Sequence, residues 1–169
     1  MRTRTLTVAK TLLILSGLLL LASCGQTQAS LSDPCSLLTT QEVTQNLGAN
    51  ITTAHPQTDN PKYTLCNYYN PVAKNPASNP MVILQINPQQ FTADGFKRSF
   101  TTANIAYEEL SGIGDAAFYT PIKNAADGTL FVIKDSHSFS IAIMHTPQDA
   151  AASKHTAEVL AQLALSRYH

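Results

Sequence analysis

This chain lacks most of the signatures by which chemistry announces itself. There is no HExxH pair for a catalytic metal and no GxSxG or SxxK for serine chemistry. The cysteines, three in all, include no CxxC, so neither a zinc-ribbon nor a thioredoxin-like redox motif can be written. No internal repeat and no long run of like charge is present, which argues against a solenoid and against a charged interaction tail. Positive charge is not in excess either, since 11 Lys and Arg face 11 Asp and Glu.

The strongest positive signal is at the start. Arg2, Arg4 and Lys10 precede an apolar stretch from Thr11 to Ala22, the layout of a basic n-region and an apolar h-region in a secretory signal. The stretch is interrupted too early, by Ser23, Cys24 and Gly25, to make the roughly 20 apolar residues of a membrane-spanning helix. Leu21-Ala22-Ser23-Cys24 is similar to the lipobox of bacterial lipoprotein precursors. Small side chains let the peptidase reach the bond, and only a thiol can take the diacylglyceryl thioether.

We therefore expect a signal peptide over 1–23, lipidation of Cys24, a tether over 24–33 and a single extracytoplasmic domain over 34–169. The expected address is the extracytoplasmic face of the cell membrane, where two or three acyl chains at about 0.8 kcal/mol per CH₂ anchor stably. Cleavage removes three basic and no acidic residues, leaving 8 against 11, a net charge of −3. Such a surface has no electrostatic footprint for nucleic acid. The tether, polar and built of small residues from Gly25 to Asp33, reaches roughly 15–18 Å and keeps the domain near the bilayer.

With Cys24 lipidated, Cys35 and Cys66 are the remaining thiols. An exported domain with two thiols in an oxidising compartment is expected to pair them. The alternative, a redox or metal-binding thiol pair, lacks a CxxC spacing or a clustered His.

Along the domain, Thr39 and Glu42 form a capping box before apolar Val43 and Leu47, and Gly48 stops that helix. Residues 63–69 and Met81–Ile86 read as strands, with the proline-containing segment 70–80 between them as loop. Pro88–Thr101 reads as a helix carrying Phe91, Phe96 and Phe100, and residues 105–110, 116–120, 129–134 and 139–145 as strands. Thr146–Tyr168 closes the chain as an Ala/Leu helix. That order predicts an α+β fold, an antiparallel sheet packed by N-terminal and C-terminal helices.

These elements resemble the DUF3558 family of actinobacterial lipoproteins of unknown function. The matching residues are the lipobox cysteine, Asp33-Pro34-Cys35-Ser36-Leu37-Leu38-Thr39 running into Glu42-Val43 and Leu47-Gly48, and Cys66 followed by Tyr68 and Tyr69. Gly112-Ile113-Gly114-Asp115-Ala116-Ala117-Phe118 and the terminal helix complete the set. Members commonly carry Trp near the second cysteine, where this chain has none. The resemblance implies a PsbP-like or Mog1-like α/β sandwich with two paired cysteines, and it supplies no catalytic residue.

The remaining motifs are assigned structural roles. Gly112-Ile113-Gly114-Asp115-Ala116-Ala117 matches a loosened GxGxxA, yet a strand rather than a helix follows it. It is expected to be a glycine turn with φ > 0, Asp115 acting as an Asx-type turn former. His55, His137, His145, His155 and His169 show no chelating spacing, and His137 and His145 are expected at opposite ends of one sheet face, too far apart to share a metal. Ser136, His137 and Ser138 are expected on a turn. Glu108 and Glu109, adjacent on a strand, are expected to point to opposite faces and so not to form an acid–base pair.

No catalytic residue, metal ligand or cofactor is assigned. The expected function is a membrane-anchored, non-enzymatic binding or interaction domain whose partner is an envelope protein or a small apolar ligand. The alternatives are a structural or accessory lipoprotein docking on another envelope protein, and a hydrolase without a recognisable motif. A large apolar cleft between helix and sheet would favour the ligand, a flat apolar patch the protein partner.

Overall fold

The computed structural model describes residues 33–60, 62–73 and 79–168. Residues 1–32, which include the expected signal peptide, Cys24 and most of the expected tether, lie outside them, as does His169. Seven strands form one wholly antiparallel sheet: β1 (Thr53–Gln57), β2 (Thr64–Tyr69), β3 (Met81–Asn87), β4 (Glu108–Leu110), β5 (Ala116–Pro121), β6 (Gly128–Lys134) and β7 (His137–Met144). Their spatial order is β1-β2-β3-β7-β6-β5-β4. Three α-helices pack on it, α1 (Thr40–Leu47), α2 (Ala93–Thr102) and α3 (Ala150–Leu165), after a 3-10 turn at Pro34–Ser36. The fold is α+β, with an antiparallel sheet.

Strand alternation divides the core in two. Cys66, Tyr68, Val82, Leu84, Leu130, Val132, Phe139, Ile141 and Ile143 point to one face, where they meet Val43 and Leu47 of α1 and Ala157, Leu160, Ala161 and Ala164 of α3. Phe118 and Ile133 point to the other, where they meet Phe96 and Phe100 of α2. Both faces of β5 and β6 are therefore apolar, which is why these strands read as near-continuous hydrophobic runs.

Three devices fix α1 and the segment before it. Thr39 and Glu42 close the expected capping box, the Glu42 N–H donating to Thr39 Oγ1 (3.2 Å) and the Thr39 N–H to Glu42 Oε2 (2.8 Å). Gly48 ends α1 in the left-handed region at φ +68°. Cys35 and Cys66 are disulfide-bonded with Cα atoms 5.1 Å apart, stapling the 3-10 turn to the second strand.

Several boundaries differ from the sequence reading, each for a local reason. Helix α2 starts at Ala93 rather than Pro88, because Thr92 Oγ1 accepts from the Gly95 N–H (3.1 Å) and sets the cap there. It ends in a Schellman turn: Asn104 takes φ +53°, and the N–H groups of Asn104 and Ile105 donate to Thr101 and Phe100 carbonyls. Ile105 is thereby spent on the helix stop, and β4 begins only at Glu108. Helix α3 starts at Ala150, not Thr146, since Asp149 caps it through the Ala152 N–H (2.8 Å).

Strand β7 begins at His137 and ends at Met144. His137 and Ser138 therefore lie in the strand, not on the turn. The turn itself is Asp135-Ser136, both at positive φ (+50° and +65°), between paired Lys134 and His137, as a two-residue hairpin of primed type requires. Strand β1 was not anticipated, because Thr53-Ala54-His55-Pro56-Gln57 is polar, contains proline and is mostly exposed.

Candidate functional site

Most of the polar side chains singled out from the sequence are placed in structural roles. Glu108 and Glu109 do point to opposite faces, and each is met by a lysine from the helix on that side. Lys154 of α3 pairs with Glu108 at 2.5 Å and Lys97 of α2 with Glu109 at 2.7 Å. The two carboxylates thus clamp the short edge strand β4 between the helices.

Gly112 and Gly114 both have positive φ (+79° and +60°). Asp115 does not cap its own turn. Its carboxylate reaches across to the β6–β7 hairpin, accepting from the Asp135 N–H (2.7 Å) and from Lys134 Nζ (3.2 Å). That backbone N–H, and then the lysine, hold the Asp115 carboxyl below the usual carboxylate range. An exposed carboxylate tied down this way is a hairpin brace, not a general acid.

Arg167, which the sequence did not flag, makes a bidentate pair with Glu42 (2.6 and 2.9 Å) and also donates to the Leu37 carbonyl (2.8 Å). This guanidinium is the main reason the Glu42 carboxyl is lowered to about 2. Beside it the buried Tyr68 hydroxyl donates to the Leu38 carbonyl (3.0 Å), and burial pushes that phenol well above its usual range. The C-terminal helix is thereby locked to the segment that leads back toward Cys24. Among the described residues no group of three or more His, Cys, Asp or Glu is placed to hold a metal ion.

Among the described residues, the α2 cluster reaches only one half of its sheet face. The α2 cluster draws on β5 and β6 and on no residue of β2, β3 or β7. On those three strands the side opposite α1 and α3 presents Leu65, Tyr69, Met81, Ile83, Ala142 and Met144, all half-buried. Register places them in rows: Ile83 sits opposite Ala142, and Met81 opposite Met144. Tyr69 follows Tyr68, which pairs with Val82, and so falls one step along, beside Met81. The result is a strip in which these side chains stand beside Asn67, Gln85 and Ser140.

The strip ends in a cavity of about 230 Å³ lined by Tyr69, Asn70, Pro71, Ala73, Asn79, Met81 and His145. Its rim is shaped by Asn70, whose carbonyl accepts from Asn79 Nδ2 (2.7 Å) and whose Oδ1 accepts from the Val72 N–H (3.1 Å). Val72, 82% exposed, stands between two lining residues. His145 reaches the cavity because it takes φ +54° and turns the chain off the end of β7. It therefore does not share a strand face with His137, contrary to the alternation expected for 137–145. The sheet edges offer less. Pro56 sits within β1 and β4 spans only three residues, both of which discourage pairing with an added strand.

Sequence reasoning missed this site because its residues come from segments more than 60 positions apart, and only strand register joins them. The one available signal was composition, since Met81 and Met144 are the only methionines after Met1. Comparison with protein-family models, with curated proteins and with solved structures finds no match for this chain.

Proposed function

We propose that this chain is an exported lipoprotein, held by lipid on Cys24 at the extracytoplasmic face of the cell membrane. Its domain is a non-enzymatic recognition module that meets an envelope protein with the uncovered face of β2, β3 and β7. The DUF3558-like order of motifs agrees with this reading. The observation that carries it is the half-face on which half-buried Leu65, Met81, Ile83, Ala142 and Met144 stand among Asn67, Gln85 and Ser140, with no part in the α2 cluster.

A strip spread over three strands favours a protein partner over a small apolar ligand. The cavity at its end, about 230 Å³, falls below the roughly 300–1,000 Å³ of ordinary ligand pockets and suits an anchor, not a whole molecule. Short tethering would keep the strip within reach of proteins embedded in the same membrane.

Two measurements test the two halves of the proposal. Cys24→Ser should abolish metabolic palmitate labelling, and undiminished labelling would remove the anchor. A photo-crosslinking residue at Ile83, compared with one at the exposed Gln162 on α3, should trap a discrete partner in intact cells only from the sheet face. Identical adducts from both positions, or none from Ile83, would refute recognition through this face.

A further inference from the structure

An antiparallel sheet sends its connections out at two ends, and here the two ends differ in chemistry. Register sets Met81 beside Met144, Gly128 beside Ile143 and Pro121, and Glu108 beside Tyr119. The connections after Tyr69, before Glu108, between Pro121 and Gly128 and after Met144 therefore share one end. Among the described residues the exposed large hydrophobic side chains are Val72, Ile105 and Ile122, at 82%, 45% and 39% exposure, and all three stand in those connections. Their backbones are pinned: the N–H of Val72 donates to Asn70 Oδ1 (3.1 Å), that of Ile105 to the Phe100 carbonyl (2.9 Å) and that of Ile122 to the Asp127 carbonyl (3.0 Å).

Of the carboxylates at this end, Glu108 pairs with Lys154, Asp149 caps α3 and Asp127 accepts from the Thr146 N–H (3.3 Å). Lys123 is exposed next to Ile122. The opposite end is acidic, with exposed Asp59, Asp94, Asp115 and Asp135 set against Lys62 and Lys134.

We propose that Val72, Ile105 and Ile122 seat this end of the domain in the surface of the lipid bilayer that carries its anchor. The inference rests on the proposed lipid address and requires no protein partner. Apolar side chains gain by leaving water for the headgroup and acyl boundary, and a lysine beside them suits lipid phosphates. The aspartates of the other end would be repelled by those phosphates. Three side chains alone bind weakly, but the anchor makes their contact an intramolecular event at high effective concentration. Cys35 is bonded to Cys66, three residues along β2 from Tyr69, roughly 10 Å at about 3.4 Å per residue. A tether reaching roughly 15–18 Å spans that distance without being pulled straight. Either end lies within its reach, and the distribution of apolar and acidic side chains decides between them. With the apolar end down, the strands stand upright and the face of β2, β3 and β7 opposite α1 and α3 looks sideways along the membrane, toward proteins embedded in it.

The chain has no Trp, so a single introduced indole reports its own surroundings. Val72→Trp, Ile105→Trp, Ile122→Trp and, at the opposite end, Asp59→Trp are made in the full chain, purified from membranes and reconstituted into phosphatidylcholine vesicles brominated near the headgroup end of the acyl chains. Emission from the three loop variants should fall about twofold against unbrominated vesicles, as for side chains seated about 5–10 Å into the boundary. Asp59→Trp should keep its emission. Adding Val72→Asp and Ile122→Asp together should release the quenching of Ile105→Trp, and circular dichroism melts check that every variant is folded. Flotation reads the anchor separately. A chain that does not float with the vesicles overturns address and contact together. A floating chain whose loop variants are unquenched, whose Asp59→Trp variant is quenched as strongly, or whose quenching survives the two aspartates overturns the contact alone.

Discussion

Gly112 and Gly114 share a turn and a positive φ, yet they should respond very differently to the same added methyl group. At Gly112, φ +79°, a built Cβ meets nothing within 4 Å. Alanine there costs left-handed strain of about 1–2 kcal/mol, offset by about 0.4–1 kcal/mol from the stiffer unfolded chain. The net loss is about 1 kcal/mol.

At Gly114, φ +60°, the same Cβ would stand 2.5 Å from the Ile133 carbonyl oxygen and 2.8 Å from Val132 Cγ1. The obstacle is backbone of the interior strand β6, so it cannot swing away. That carbonyl also accepts the Asp115 N–H at 2.8 Å, the bond that seats Asp115 to brace the β6–β7 hairpin. Relief of the clash must stretch this bond, worth about 0.5–1.5 kcal/mol, and overpacking adds about 1–3 kcal/mol. Gly114→Ala should therefore lose about 3–5 kcal/mol, at least 2 more than Gly112→Ala. Urea melts of both variants with the disulfide kept oxidised, followed by far-UV circular dichroism, give the two values. A difference below about 0.5 kcal/mol, with unchanged m-values, would show that the contact with β6 does not decide the glycine.

Other outcomes follow from the disulfide and the Glu42–Arg167 pair. Cys35 and Cys66, 31 positions apart, should resist alkylation until reduced, and replacing both by Ala should cost about 3–4 kcal/mol on the chain-entropy model. Intact mass after alkylation without reduction checks the first part, and two added groups would refute it. Glu42 has its folded pKa depressed from 4.5 to about 2, so its stabilisation is fully present above pH 4.5 and is lost as pH falls toward 2. Glu42→Gln keeps a capping-box side chain but removes the charge. It should cost on the order of 2 kcal/mol at neutral pH and flatten the stability profile between about pH 4.5 and 2. An unchanged profile in acid denaturation would show that the ion pair contributes nothing.

Where information is local, the sequence alone decided the outcome. The capping box of Thr39 and Glu42, the stop at Gly48, the φ > 0 demand at Gly112 and Gly114, and the opposed faces of Glu108 and Glu109 depend on neighbours within a few residues. Backbone sterics and the two-residue strand period act at that range. The α+β class followed from the order of such elements, and the Cys35–Cys66 pair from there being no other thiols once Cys24 is assigned. Helix boundaries moved only where a better cap, at Thr92 or Asp149, lay a few residues on.

Register, by contrast, is a global quantity. It is fixed when buried faces of distant strands are matched against helices, and no window of sequence contains it. Tertiary structure alone set Met81 opposite Met144, sent His145 toward Tyr69, paired Arg167 with Glu42 across 125 positions, and pressed Gly114 against β6. Among the described residues it also set α2 over β5 and β6 and not over the same face of β2, β3 and β7. The candidate site lies on that bare half because helix coverage of a sheet depends on where connections land, which the pattern of apolar residues in each strand does not encode.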